Sequence, residues 1–97
     1  MAESAVSRSI LRWLRSEGFW AAKVHGDPMQ ERIIDILSCV DGRFLGIETK
    51  DDEDEEPTPL QQYHLTKIRE AGGVAIKASN LDEVRAAVAD ILKETRR

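Results

Sequence analysis

The fold is decided by residues 33–50, which read IIDILSCVDGRFLGIETK. The first part, Ile33–Val40, is apolar on both of its faces, which predicts a strand that is covered on both sides. Asp41-Gly42 is a strong signal for a two-residue hairpin turn. Residues 43–50 are therefore predicted to return as the antiparallel partner of the first strand, with alternate side chains on opposite faces.

Apolar spacing and helix caps predict the elements on either side of this hairpin. In chain order they are a helix over residues 3–17, a strand over 19–25, a helix over 58–71, a strand over 74–78 and a helix that begins after Asn80. The predicted order is αβββαβα, an α/β fold in which helices cover the faces of a mixed sheet.

Length and composition limit the class of protein. The 97 residues suit one domain, so we expect a single domain over residues 1–97. The single cysteine, Cys39, excludes an internal disulfide and predicts a reducing, cytoplasmic setting, and we expect its side chain to be buried in the sheet. No apolar run approaches the roughly 20 residues that cross a bilayer, so we expect no membrane partner.

Charge is distributed unevenly along the chain. Residues 51–56 are all Asp or Glu, and removing these six negative charges from the net charge of −4 leaves +2. A block of like charges repels itself, which predicts an exposed loop. The remainder of the chain is mildly basic, so its charge permits a phosphate-bearing partner such as DNA without predicting one.

Asp35 is a carboxylate in the middle of the apolar strand. A buried carboxylate without a partner costs several kcal/mol, so Asp35 needs a compensating group. One interpretation supplies a lysine or a neighbouring backbone group, and the other supplies a bound cation. The residues alone leave both open.

Glu48 and Lys50 are predicted to fall on the same face of the returning strand. An exposed salt bridge at a strand end would explain them, and such pairs contribute roughly 0–1 kcal/mol. In the other interpretation Lys50 orients a water molecule and offsets charge that builds on a phosphate, as metal-assisted phosphodiester hydrolysis requires.

The predicted hairpin brings Asp35 close to the pair Glu48 and Lys50. Its register places Ile36 near Ile47 and therefore Asp35 near Glu48. Two adjacent carboxylates repel each other unless a proton or a metal ion lies between them. A hard divalent cation such as Mg²⁺ prefers oxygen ligands, and the backbone carbonyl of Thr49 could supply another oxygen.

Two further polar residues are candidates for the same site. Gln61 completes a capping-box pattern with Thr58 and also lies on an inward stripe of its helix, so capping and a role in the site are both open and compatible. Glu3 lies at the edge of the inward stripe of the first helix. It is either a solvated terminal residue or a further carboxylate of the site.

Taken together, Arg32–Leu37, Gly42–Lys50 and Thr58–Gln61 resemble the VRR-NUC domain. This is the virus-type replication and repair nuclease branch of the PD-(D/E)XK superfamily. The resemblance implies a restriction-endonuclease-like three-layer sandwich and a nuclease that depends on Mg²⁺ or Mn²⁺. It implies catalytic roles for Asp35, Glu48, Lys50 and Gln61, and metal ligands from Asp35, Glu48, the Thr49 carbonyl and Glu3.

The resemblance also implies partners. Similar stand-alone domains come from phages and bacteria, where they act in the cytoplasm as homodimers on structured DNA, including branched DNA and Holliday junctions, and larger relatives serve DNA repair. One departure concerns the turn before Asp35. The family usually has Gly-Ile-Pro-Asp where this chain has Arg32-Ile33-Ile34-Asp35, which predicts a different turn and a displaced Asp35.

The sequence is compatible with three hypotheses about function. The first is a metal-dependent deoxyribonuclease, which would lose cleavage on Glu48→Ala or Lys50→Ala. The second is a weak or inactive nuclease-fold module that binds DNA without metal. The third is an interaction domain whose acidic residues form ordinary ion pairs and which gains no thermal stability from Mg²⁺ or Mn²⁺.

Overall fold

A computed structural model of the chain describes residues 4–25 and 34–96. Within these ranges the elements are α1 (Ala5–Ser16), β1 (Trp20–Lys23), β2 (Ile36–Val40), β3 (Arg43–Thr49), α2 (Pro59–Glu70), β4 (Val74–Ala78) and α3 (Leu81–Thr95). The predicted order αβββαβα is confirmed. Glu3 and Ile33, which the sequence assigns to the first helix and the second strand, lie outside the described residues.

The four strands form one mixed sheet in the order β1-β2-β3-β4. The pairs β1–β2 and β2–β3 are antiparallel, whereas β3 and β4 are parallel. Parallel neighbours need a crossover connection, which α2 provides. The register of the hairpin pairs Val40 with Arg43 and Ile36 with Ile47, as the sequence predicts.

The turn of this hairpin has the backbone conformation that its sequence indicates. Asp41 and Gly42 both have positive φ, at 50° and 83°. Two consecutive residues with positive φ are typical of a type I′ turn, whose twist matches that of the flanking strands. Gly42 adopts this conformation without the steric cost of a Cβ atom.

The hydrophobic core lies on both faces of the sheet. On one face α1 and α3 pack against the strands, burying Ile10, Leu14, Ile36, Val40, Leu45, Ile47, Val84, Val88 and Ile91. On the other face α2 places Leu65 against Ile34 and Ala75. The expected three-layer sandwich with a restriction-endonuclease-like arrangement is therefore confirmed.

The position of α2 depends on a glycine in β3. A Cβ atom built on Gly46 would lie 3.0 Å from Cδ1 of Ile68 and 3.3 Å from the Phe44 ring. A larger residue at position 46 would force the side chain of Ile68, in the last turn of α2, to shift. The small residue therefore leaves room for the C-terminal part of α2 to pack against β3.

Part of the α2 face of the sheet is exposed. Trp20, Cys39 and Phe44 pair across three neighbouring strands, and all three side chains are exposed. The prediction that Cys39 is buried is therefore wrong. Its side chain lies on the face that α2 covers, but α2 packs against β3 and β4. Among the described helices, none has the length and apolar character that crossing a bilayer requires.

Candidate metal centre

The candidate site lies where β3 ends and α2 begins. Glu48 is the penultimate residue of β3, and only 2% of its surface is exposed. The Nζ atom of Lys50 lies 3.9 Å from Oε1 of Glu48, and 15% of the Lys50 side chain is exposed. The predicted placement of the two side chains on one face is confirmed, and the pair is more enclosed than a surface salt bridge.

Gln61 connects this pair to the start of α2. Its Nε2 donates to Oε1 of Glu48 at 2.9 Å, and its Oε1 accepts from Nζ of Lys50 at 3.2 Å. The same Oε1 accepts from the backbone N–H of Thr58 at 2.9 Å, and the Thr58 hydroxyl caps the N–H of Gln61. The predicted capping box is confirmed, and the same side chain contacts both charged residues.

Asp35 lies in a bend directly before β2 rather than within it. The prediction of a strand that includes Asp35 is therefore corrected. Ile36 packs toward α1 and α3, whereas Ile34 packs against Leu65 of α2. In a regular strand positions 34 and 36 would share a face. The alternation of side chains is thus interrupted at Asp35.

Contacts with other elements hold the Asp35 carboxylate in this bend. Its Oδ2 accepts from the backbone N–H of Thr49 at 3.1 Å and from the Thr49 hydroxyl at 2.6 Å. Nζ of Lys23, at the end of β1, lies 3.4 Å from Oδ1. The Ser7 hydroxyl of α1 lies 2.9 Å from the Thr49 hydroxyl. The interpretation in which a lysine and backbone groups compensate Asp35 is observed.

Thr49 follows Glu48 directly in β3 and contacts Asp35. The pair Ile36–Ile47 ends the β2–β3 ladder; Asp35 directly precedes β2, and Glu48 follows Ile47 in β3. The Thr49 N–H points toward Asp35. Since the N–H and C=O of a strand residue point to the same neighbour, the Thr49 carbonyl faces the same edge. The ends of β2 and β3 therefore offer two carboxylates and a carbonyl oxygen.

The chemistry of this donor set fits a hard divalent cation. Asp35 and Glu48 are 3% and 2% exposed, and Mg²⁺ and Mn²⁺ favour such carboxylate and carbonyl oxygens. Across residues 4–25 and 34–96, no cluster of three or more His, Cys, Asp or Glu side chains could hold a metal ion. The set is thus limited to two acids and the carbonyl, and the predicted ligand Glu3 lies outside the described residues.

Three polar groups near Asp35 were missed by the sequence interpretation. They are the side chains of Ser7 and Lys23 and the hydroxyl of Thr49, which was assigned only through its carbonyl. Strand alternation places Thr49 opposite Glu48 and Lys50, so its contact with α1 could have been inferred. The position of Lys23 beside Asp35 depends on the pairing of β1 with β2, and no local sequence pattern predicts that pairing.

The acidic loop, residues 51–56, is exposed as predicted. Nζ of Lys77 donates to the backbone carbonyls of Glu53 and Glu55, both at 3.0 Å, and lies 3.8 Å from the Glu56 carboxylate. Lys77 is the β4 residue that pairs with Glu48 of β3. These contacts fix the loop beside β4, next to the candidate site.

The mixed four-stranded sheet with helices on both faces is a restriction-endonuclease-like α/β fold. More narrowly, the chain has the VRR-NUC fold. A solved structure of a "VRR_NUC domain" matches with a TM-score of 0.68 at 21% sequence identity, covering 92% of this chain and 90% of the other. No family model and no curated protein matches the sequence.

Proposed function

We propose that this chain is a divalent-metal-dependent deoxyribonuclease that hydrolyses phosphodiester bonds of DNA. The observation that carries the proposal is the buried Glu48, which contacts both Lys50 and Gln61. A second buried carboxylate, Asp35, lies at the adjacent strand end and is bound to Thr49. The VRR-NUC fold supports the same class of activity, since the family resemblance implies a nuclease.

The proposed roles follow from the positions of the side chains. Asp35, Glu48 and the Thr49 carbonyl would hold Mg²⁺ or Mn²⁺, with Glu3 as a further proposed ligand. When bound, the cation would activate water and offset charge on the phosphate. The ammonium of Lys50 would stabilise the charge that develops on the phosphate oxygens. Gln61 holds Lys50 and Glu48 at a fixed separation through its two hydrogen bonds.

We further propose, from the family resemblance, that the chain is a phage or bacterial endonuclease. It would act in the cytoplasm on branched DNA, including Holliday junctions. A homodimer with two-fold symmetry would present two centres on related faces, which suits paired cuts in a symmetric junction. Sedimentation equilibrium at micromolar concentration should give the dimer mass. A monomer would remove the basis for paired cutting.

A substrate panel with matched variants tests the activity. Single-stranded, duplex, flap and four-way DNA would be incubated with Mg²⁺, Mn²⁺ or a chelator. We expect cleavage only with metal, and a loss of about 10²-fold or more in Glu48→Gln and Lys50→Ala. Lys93→Ala, which changes an exposed lysine on α3, is the control and should cleave normally. Metal-independent cleavage, or full activity in Lys50→Ala, would contradict the proposal.

A second candidate function is a nuclease-fold module that binds DNA without cutting it. The contact between Lys23 and Asp35 favours this candidate, because it already compensates one proposed metal ligand. This module would bind DNA equally well in Mn²⁺ and in chelator, and would cleave no substrate of the panel. The same assay therefore separates the two candidates.

A further inference from the structure

Lys23 is more enclosed than a lysine of an ordinary surface ion pair. Its side chain is 11% exposed and that of Asp35 is 5% exposed, with Nζ of Lys23 3.4 Å from Oδ1 of Asp35. The same Nζ donates to the hydroxyl of Ser7 at 3.4 Å, and Ser7 is completely buried. These contacts place a positive charge directly at a proposed metal ligand.

The two oxygens of Asp35 have different partners. Oδ2 accepts two hydrogen bonds from Thr49, one from its N–H and one from its hydroxyl. Oδ1 is the oxygen that faces Lys23. A cation that binds Asp35 must therefore approach a carboxylate that already interacts with an ammonium group. Like charges repel strongly at a site with little solvent screening.

Lys50 differs from Lys23 in this respect. Its Nζ donates to the neutral amide oxygen of Gln61 at 3.2 Å, and it lies farther from its carboxylate, at 3.9 Å from Glu48. Lys50 is therefore held beside the centre by an uncharged group and can remain there when a cation binds. Lys23 is held by the carboxylate itself, so its main contact weakens when a cation takes that carboxylate.

We infer that Lys23 is a built-in counter-ion that competes with the divalent cation for Asp35. In the metal-free protein Lys23 compensates the buried carboxylate and keeps it in position. The charge of Lys23 thereby raises the concentration of divalent cation that is needed to occupy the proposed centre. This inference rests on the proposed metal centre and assigns Lys23 a role in setting the affinity of that centre.

Calorimetric titration with Mn²⁺ tests the competition directly. Lys23→Gln removes the charge but keeps a hydrogen-bond donor for Asp35 and Ser7. We expect it to bind Mn²⁺ about tenfold more tightly than the wild type, because one nearby positive charge is removed. Lys23→Arg keeps the charge and should retain the affinity of the wild type to within a small factor.

Lys77→Gln is the matched control for a general effect of charge. Lys77 also lies on a strand beside the centre, but it contacts the acidic loop and its side chain is more exposed, at 23%. Solvent screens its charge more strongly, so this variant should change the Mn²⁺ affinity much less than Lys23→Gln does. An equal gain in both variants would overturn the specific role of Lys23.

A second measurement on the wild type covers the case in which Lys23→Gln does not fold. In a Mg²⁺ titration, the NMR signals of the Lys23 side chain should shift with the same midpoint as the calorimetric binding curve. Unchanged signals at saturation, or equal Mn²⁺ affinity in the wild type and Lys23→Gln, would overturn the inference while the metal centre stands. Folded protein that binds no Mn²⁺ in any variant would overturn the metal centre and the inference together.

Discussion

The side-chain amide of Gln61 is bound at both of its ends. Its Nε2 donates to the buried Glu48, and its Oε1 accepts from Lys50 and from the N–H of Thr58. A glutamate at this position would keep the oxygen that caps the helix but would lack an N–H group for Glu48. Substitution at position 61 can therefore separate helix capping from the geometry of the site.

We expect Gln61→Glu to destabilise the metal-free protein by about 1–3 kcal/mol, because Glu48 loses a donor and faces another carboxylate. Mn²⁺ should recover part of this loss, since the new carboxylate is an additional oxygen ligand. Urea unfolding in chelator and in Mn²⁺ measures both quantities. The same loss under the two conditions would show that position 61 does not face a metal centre.

Thr58→Ala is the matched control for this substitution. It removes the hydroxyl that caps the N–H of Gln61, at a cost of about 1 kcal/mol. The contacts of Gln61 with Glu48 and Lys50 are left in place. The loss of stability should therefore be the same in chelator and in Mn²⁺. A loss that depends on Mn²⁺ would mean that the cap and the centre act as one unit.

The residues that the sequence placed correctly are those whose positions follow from local periodicity. Strand alternation puts Glu48 and Lys50 on one face, and the N-cap at Thr58 fixes Gln61 in the first turn of α2. Asp35 was placed in a strand because its neighbours are apolar. Its bend depends on hydrogen bonds to Thr49, 14 residues later, and no local pattern encodes them.

At the scale of the elements, the turn between β2 and β3 is tied to the end of α3. The Asp41 carboxylate accepts from Nε and Nη2 of Arg96, at 2.6 and 3.0 Å, and from the Thr95 hydroxyl at 2.9 Å. These hydrogen bonds lower the pKa of Asp41 from its usual 3.8, and the bond from Arg96 has the largest effect. The hairpin that carries the site thereby gains a contact with the last helix.

The lowered pKa of Asp41 predicts a dependence on pH. The contact with Arg96 stabilises the folded protein above about pH 3.8, and this contribution is lost as the pH falls through the lowered pKa. We expect Arg96→Gln to raise the pKa of Asp41 back toward its usual value, and Thr95→Ala to raise it less. Titration of the Asp41 carboxyl by ¹³C NMR measures both shifts. An unchanged pKa in Arg96→Gln would show that the pair does not form in solution.

The elements themselves were largely predictable. Val74–Ala78 has the predicted bounds, because glycines precede it and an N-cap follows it. The order of the strands in the sheet was harder to predict from the sequence. The parallel pairing of β3 with β4 depends on how α2 crosses the sheet between the two strands. Sequence periodicity describes one element at a time and does not specify such packing.

For the molecule as a whole, charge opposes the proposed substrate on one side of the site. The net charge is −4, and residues 51–56 carry six negative charges. The loop follows Lys50 directly, so the Cα atoms of Asp51 and Asp52 lie within about 8 Å of that of Lys50, less than the Debye length of about 10 Å at 0.1 M salt. Lys77 holds the loop in this region.

Neutralising residues 51–56 with Asn and Gln should tighten DNA binding by about tenfold or more at low salt, and less at high salt, because repulsion of phosphates is removed. Fluorescence anisotropy in a Glu48→Gln background, which limits cleavage, measures this for single-stranded, duplex and four-way DNA. Tightening for one shape alone would identify the loop as a determinant of substrate shape. Asp82→Asn with Asp90→Asn, two exposed acids of α3, is the control. Equal affinity of the loop variant and its parent at low salt would show that bound DNA lies away from the loop.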